Sequence, residues 1–129
     1  MNAVFTVRPL NGALVRRIAG AAQVRPPNKT WRIMITHIVV WKYRADVPQA
    51  DREEHRTQLR SLRNIVPGIE SLTVGFDFLR APNSYDIGLS ARFADRSVLD
   101  AYTIHPEHVK VVEFGRRIVE TMAKVDFED

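Results

Sequence analysis

The 129-residue sequence contains no cysteine and only six glycines. Without cysteine there are no disulfides and no thiolate nucleophiles, and a metal ion would need His, Asp or Glu ligands. The glycines do not cluster into a phosphate-binding loop. The longest apolar run, IMITHIVVW, is interrupted by Thr36 and His37 and is too short to span a bilayer. We therefore expect a soluble protein with no membrane partner.

Acidic residues are absent from residues 1–33, which contain six basic residues. The formal net charge of +4 thus originates in this segment and not in the rest of the chain. We assign residues 1–32 to a basic N-terminal extension, which a targeting presequence, a start codon misassigned ahead of Met34 or an arm packed on a partner subunit would each explain. The absence of serine counts against a transit peptide. We expect a cytoplasmic protein, with organelle targeting by residues 1–32 left open.

Residues 33–129 are predicted to form one domain with the order β-α-β-β-α-β. Strands are predicted at 33–43, 69–78, 85–93 and 121–128. A charged helix starts near Pro48, and helical segments follow from 94 to about 120, with Pro106 opening a second helical turn. This order is typical of an α+β, ferredoxin-like fold, in which one antiparallel sheet carries its helices on one face.

The first strand is apolar on both faces, with Ile38 and Val40 on one and Val39 and Trp41 on the other. Helices can cover only one face of a four-stranded sheet. We expect a second copy of the sheet to cover the other face, which predicts a homodimer.

The stretch DAYTIHPEHVKVVEF contains a tyrosine and two histidines around a helix start. Pro106 is favoured at the first helical position, so His105 is predicted to be the N-cap, a structural role. His108 lies on the helix face that should look toward the sheet. It is a candidate general base, and Tyr102 could stabilise a developing enolate or fix the tautomer of His108. The alternative is that the two side chains are buried polar groups that satisfy each other.

The sequence around the other two histidines, His37 and His55, does not by itself indicate their role. His37 lies in the apolar first strand, as a satisfied core residue or as a pocket residue. His55 belongs to the apolar stripe of the first helix and is predicted to pack or to border a pocket. The spacing of His105 and His108 could chelate a metal, but no carboxylate pair accompanies it, so no metal is predicted. Alternation along the third strand places Asp86, Gly88, Ser90 and Arg92 on its exposed face. This face offers no aromatic stacking platform, so no nucleic acid is expected for the core.

Five stretches, in order, resemble the stress-responsive α/β-barrel domain (Dabb) family of the dimeric α+β barrel superfamily: THIVVWKY, IVPGIESLTVG, SYDIGLSARFAD, LDAYTIHPEHVKVVEF and the terminal VDFE. The resemblance covers residues 34–128. It implies a homodimer whose sheets pack face to face into a barrel, with a pocket between sheet and helices in each subunit. One member, the plant polyketide cyclase olivetolic acid cyclase, closes an aromatic ring by aldol chemistry without a metal or organic cofactor, so none is expected here.

The resemblance also implies site residues. By position, Tyr102 and His108 match the reactive pair of the cyclase, and His37 matches a histidine that lines its pocket. Ile87 stands where the cyclase has a further histidine, so the polar lining is thinner here. We predict His108 and Tyr102 as catalytic residues. The residues predicted to bind substrate are His37, His55, Tyr85 and Ile87.

Two hypotheses follow. In the first, the pocket binds an apolar, carbonyl-bearing small molecule and performs cofactor-independent acid/base chemistry of a cyclase or lyase type. In the second, the chain is a non-catalytic, stress-associated dimeric binding protein whose histidines are structural. The sequence leaves open whether the protein is an enzyme. An open pocket that reaches His108 would favour the first hypothesis, and a filled cavity the second.

Overall fold

The structure is a computed structural model that describes residues 33–129. The basic extension predicted for residues 1–32 lies outside the described residues. The elements are β1 (Ile35–Tyr43), α1 (Gln49–Arg60) with a 3₁₀ turn (Ser61–Asn64), β2 (Ile69–Phe76), β3 (Ile87–Phe93), α2 (Arg96–Ile104), α3 (Pro106–Arg116) and β4 (Val119–Glu128). The sheet order is β2-β3-β1-β4, and every neighbouring pair is antiparallel. The predicted ferredoxin-like fold is confirmed.

Several predicted boundaries change, beginning with β1, which starts at Ile35 and not at Ile33. β3 begins at Ile87 and not at Tyr85, because the carboxylate of Asp86 turns inward and is buried. It accepts the backbone N–H of Tyr43 at 2.8 Å and the guanidinium of Arg80 at 2.7 Å. The prediction that placed Asp86 on the exposed strand face is therefore wrong. β2 ends at Phe76, two residues earlier than predicted.

Two further boundaries differ at the end of the second helical region. α3 ends at Arg116, not near Glu120, and β4 begins at Val119. The first residues of β4 therefore lie beside the end of β1, where Tyr43 pairs with Val119. Because β4 starts earlier than predicted, its first residues, from Val119 to Met122, lie next to the helices and line the cavity described below.

The core lies between the helices and one face of the sheet. From α1 and its 3₁₀ turn, His55, Leu59 and Leu62 are buried, as their spacing predicts. The inward residues of β3 are almost inaccessible: Ile87, Leu89, Ala91 and Phe93. α2 begins at an N-cap, Asp95, whose carboxylate accepts the backbone N–H of Val98 at 3.0 Å.

The two faces of the sheet have different surroundings. On the helix side, His37, Val39 and Trp41 of β1 stand opposite Asp126, Lys124 and Met122 of β4. The other side, which we call the outer face, carries Ile38 and Val40 of β1 beside Val125 and Ala123 of β4, followed by Phe127. Val125 is 51% exposed and Phe127 42% exposed. The outer face is thus apolar and is not covered by any described residue.

Candidate functional site

A cavity of about 440 Å³ lies between the β1–β4 half of the sheet and the three helices. Its polar lining includes three of the four histidines and a tyrosine: His37, His55, His108 and Tyr102. Its apolar lining includes Val39, Trp41, Leu59, Leu89 and Val111. Val112 of α3 and Met122 of β4 border it and are exposed, so the cavity opens to solvent between α3 and β4.

The position of His108 follows from the break between α2 and α3, which are separated by His105 alone. As predicted, His105 is the N-cap of α3, and its Nδ1 accepts the backbone N–H of Glu107 at 3.1 Å. In a continuous helix this N–H would bind the carbonyl oxygen of Thr103. That carbonyl is instead free to accept a hydrogen bond from Nδ1 of His108, at 2.9 Å.

This bond sets the tautomer of His108. Because a carbonyl oxygen only accepts, Nδ1 carries the proton, and Nε2 of the neutral ring keeps the lone pair. Tyr102 was one candidate for fixing this tautomer, but the Thr103 carbonyl does so. Burial lowers the pKa of His108 below its ordinary value, against the raising effect of the bond to Thr103, and the charges of His37, His105 and Lys124 lower it further. His108 is therefore neutral at physiological pH, with Nε2 available as a base.

Tyr102 occupies the last turn of α2 and is 2% exposed. Its ring lies 4.5 Å from the ring of His108, 5.0 Å from that of Phe93 and 6.0 Å from that of His37, measured between centroids. Its hydroxyl has no hydrogen-bond partner within residues 33–129. Burial raises the pKa of Tyr102 to about 12, so the hydroxyl stays protonated and can donate a hydrogen bond.

His37 lies on β1 directly opposite Asp126 of β4, and its Nδ1 donates a hydrogen bond to the Asp126 carboxylate. Lys124 binds the other carboxylate oxygen at 3.3 Å. Burial acts to raise the pKa of Asp126, but the hydrogen bonds and charges of His37 and Lys124 outweigh it, so this pKa lies below its ordinary value. Asp126 is therefore an ionised partner that fixes the orientation of the His37 ring.

His55 is 1% exposed and forms part of the inner wall of the cavity instead of its rim. Its Nδ1 lies 2.8 Å from the hydroxyl of Tyr43, and its ring meets the edge of Trp41 at 5.3 Å between centroids. Burial lowers the pKa of His55 to about 4, so this imidazole is neutral at physiological pH.

The structure thus brings His37, His55, Tyr102 and His108 to one cavity, whereas Tyr85 and Ile87 do not line it. Ile87 is 2% exposed in the core at the start of β3, and half-buried Tyr85 precedes that strand. Both lie at the β2–β3 end of the sheet, while the cavity lies over β1 and β4. Sequence reasoning missed Asp126. The signal that could have found it was the two-residue alternation of the closing strand, combined with its pairing to β1.

No group of three or more His, Asp or Glu side chains in the described part of the chain is arranged to hold a metal ion. Within residues 33–129, no helix is long and apolar enough to cross a membrane.

The four-stranded sheet, its helices on one face and the cavity between them define a ferredoxin-like α+β protein. The model of the Stress Responsive A/B Barrel Domain family, Dabb, matches residues 35–129, and the chain belongs to this family. The family predicted from the sequence is confirmed. None of the curated proteins matches the sequence.

Solved structures show the same fold. A dimeric ferredoxin-like protein of unknown function from Thermobifida fusca YX has a TM-score of 0.70 and 21% identity, over 81% of this chain and 98% of its own. A dimeric protein of unknown function with a ferredoxin-like fold, from Bacteroides fragilis, has a TM-score of 0.66 and 28% identity, over 74% and 96%. The hydroxynitrile lyase of Passiflora edulis has a TM-score of 0.67 and 14% identity, over 74% and 93%.

Proposed function

We propose that this chain forms a homodimer and binds, in its cavity, an apolar small molecule that carries a carbonyl group. We further propose that His108 and Tyr102 transfer a proton next to that carbonyl without a cofactor. One observation carries the proposal: buried Tyr102, whose hydroxyl has no partner within residues 33–129, packs its ring against an imidazole whose Nδ1 is already bound to Thr103.

The chemistry requires only the two side chains. Nε2 of His108 takes a proton from the carbon next to the carbonyl, and the electron pair of the broken C–H bond forms a C=C bond. The carbonyl π electrons move onto oxygen, and the Tyr102 hydroxyl donates a hydrogen bond to the resulting enolate. The enolate then takes the proton back from His108 or attacks a second carbonyl of the same molecule. The second outcome is the ring closure of a cyclase.

His37 supports this arrangement from the sheet side. Its ring lies 6.0 Å from that of Tyr102, and Asp126 holds its Nδ1–H. Its other ring nitrogen is therefore the one available to a ligand that lies between the sheet and His108. We assign His37 to substrate binding and Asp126 to positioning His37.

The proposed dimer uses the outer face. Val125 and Phe127 expose apolar surface beside Ile38 and Val40, and covering such a surface is favourable. Two solved neighbours with this fold are dimeric. One neighbour with the same fold is named as a hydroxynitrile lyase, so the fold is compatible with an enzyme, although the 14% identity carries no substrate to this chain.

A second function has its own support. His105 caps α3 and His55 binds Tyr43, so these two imidazoles have structural roles. A stress-associated binding protein would need the cavity but no reactive pair. The two functions differ in whether the bound molecule exchanges a carbon-bound proton.

The test is deuterium incorporation into 4-phenylbutan-2-one, a ketone with an aromatic tail, followed by proton NMR in D₂O. We expect the wild type to accelerate exchange next to the carbonyl and His108→Gln to fall to the uncatalysed rate. Tyr102→Phe should be about 10²-fold slower, the usual effect of losing one oxyanion donor.

The matched control is His105→Asn, which changes a neighbouring histidine but keeps an N-cap side chain. Its exchange rate should equal that of the wild type. Binding of the ketone without accelerated exchange would reject the catalytic proposal and support the binding protein. No binding at all would reject both.

A further inference from the structure

The outer face of the sheet has a hollow at one corner. Gly75 of β2 pairs with Gly88 of β3, and the neighbouring position of β1 is Val40. A Cβ atom built on Gly75 would have no heavy atom within 4 Å, and one built on Gly88 would lie 3.7 Å from a methyl carbon of Val40. Two adjacent strands therefore carry no side chain at the same level of the outer face, which leaves a depression beside Val40.

The opposite corner of the same face carries a projection. Phe127 of β4 is 42% exposed and is the only aromatic side chain that the described strands place on the outer face. Ala123 of β4 lies at the level of the two glycines, so four residues and three strand spacings separate Phe127 from Gly75, roughly 20 Å. The hollow and the phenyl ring thus lie at different ends of different edge strands.

The centre of the outer face is apolar, with Ile38 of β1 paired to Val125 of β4. Arg92 lies toward one end of the face, and Asp129 of the same chain compensates its charge at 3.4 Å. Lys42 lies near the end of β1, where its long side chain can reach water. A second copy of this face would therefore meet apolar surface without burying an uncompensated charge.

The size of the face makes its hollow and its projection important. Four strands about 4.8 Å apart and seven residues at about 3.4 Å each give roughly 19 by 24 Å, or about 900 Å² for two copies. Specific interfaces bury about 1,000 Å² or more. Flat contact between two such faces is marginal in area, so side chains of one copy need to enter depressions in the other.

We infer that Phe127 of each chain packs into the Gly75–Gly88 hollow of a second copy. A twofold axis makes every contact occur twice, so a projection and a hollow at separate corners of one face can fit each other in both copies at once. This inference rests on the homodimer of the proposed function and specifies which side chains meet in it. In the dimer the phenyl ring loses its contact with water and the hollow is filled.

The test exchanges the sizes of the two side chains in the full chain and measures the dimer by sedimentation velocity over a dilution series. Gly75→Leu should weaken the dimer at least tenfold, because the leucine and Phe127 then compete for the same volume. Phe127→Ala should also weaken it at least tenfold, because the burial of a phenyl ring is lost at two places. The double variant Gly75→Leu/Phe127→Ala should recover most of the affinity, because the leucine occupies the volume that the ring has left.

The matched control is Thr57→Leu, which adds the same side chain at an exposed position of α1, on the other side of the sheet. It should leave the dimer unchanged. Circular dichroism of each variant separates loss of the dimer from loss of the fold. Gly75→Leu should keep the fold, because a Cβ at Gly75 has open space and glycine weakens a strand.

The outcomes distinguish this contact from the dimer itself. A folded Gly75→Leu that dimerises as tightly as the wild type, or a double variant no tighter than Gly75→Leu, overturns the inference while the homodimer stands. If Gly75→Leu does not fold, Phe127→Ala decides, and a dimer as tight as that of the wild type overturns the inference. A wild type that is monomeric at micromolar concentration rejects the homodimer of the proposed function, and the inference with it.

Discussion

The His37 imidazole and the Asp126 carboxylate face each other across β1 and β4 and are joined by a hydrogen bond. The two residues are 89 positions apart in the sequence, so only strand pairing brings them together. This pair ties the orientation of a cavity-lining ring to the position of β4. The reactive end of the cavity therefore depends on the last strand as well as on the α2–α3 junction.

Asp126→Asn should raise the concentration of 4-phenylbutan-2-one at half-maximal exchange rate by roughly fivefold, because a neutral amide holds the His37 ring less strongly than a carboxylate does. The maximal rate should not change, since His37 binds the ketone and His108 removes the proton. Lys124→Gln is the control, because it removes only a partly exposed ion pair of the same carboxylate. An unchanged half-maximal concentration in Asp126→Asn would show that the pair is only structural.

His55 should make the fold sensitive to acid. Its folded pKa of about 4 lies below the value of 6.5 in the unfolded chain. Between these two pH values the unfolded chain therefore binds more protons than the folded chain. The free energy of unfolding has its full value above pH 6.5 and decreases as the pH falls toward 4. The difference corresponds to about 3 kcal/mol.

Urea unfolding at several pH values from about 4 to 7, at constant protein concentration, measures this effect. His55→Gln should flatten this part of the pH dependence of the free energy of unfolding. His108→Gln should leave the contribution of His55 to that dependence unchanged. If His55→Gln keeps the full pH dependence of the wild type, His55 is not the group responsible.

The same substitution at two glycines should have opposite effects. Gly68 has a φ of +99°, and an added Cβ would lie 2.7 Å from Val98, so Gly68→Ala should destabilise the fold by about 1–3 kcal/mol. Gly115 lies in α3 with ordinary helical backbone, and Gly115→Ala should be neutral or stabilise by up to about 1 kcal/mol.

Thermal unfolding of the two variants beside the wild type tests this contrast. A clear loss of stability in Gly115→Ala would mean that α3 and His55, whose Nε2 would lie 3.4 Å from the added Cβ, cannot accommodate the methyl group.

The outer face offers a direct test of the dimer. Val125→Lys should shift the protein from dimer to monomer in sedimentation velocity at micromolar concentration, because it places a charge in the centre of the proposed interface. Val109→Lys is the matched control: the same change, at a position with 43% exposure, on a helix far from the outer face. A Val125→Lys variant that remains dimeric would place the interface elsewhere.

Most of the fold was predictable because its signals are local. The two apolar faces of β1, the stripe from His55 to Leu62 and Pro106 at a helix start each depend on a few neighbouring residues. Asp86 shows where this reasoning fails. Strand alternation placed it outside, but a backbone N–H from β1 and a guanidinium from the preceding loop draw it inward, and neither is visible in the local pattern.

The site was predictable only in part for the same reason. Tyr102 and His108 are close in the sequence, and the family resemblance marked them. The Thr103 carbonyl that orients His108 becomes available only through the helix break, and Asp126 meets His37 only through the register of β4. The hydrogen bond between His55 and Tyr43 likewise joins a helix to a strand, so periodicity could not reveal it.

Every second side chain of β1 lines the cavity, so these side chains follow one another along its length. His37, Val39 and Trp41 line it in succession, each about 7 Å further from the reactive end. A change at one of these steps would alter the length of chain that fits without moving His108 or Tyr102. The side chains of this strand therefore set the length of the cavity, and we expect a larger residue in place of Val39 to exclude longer ligands.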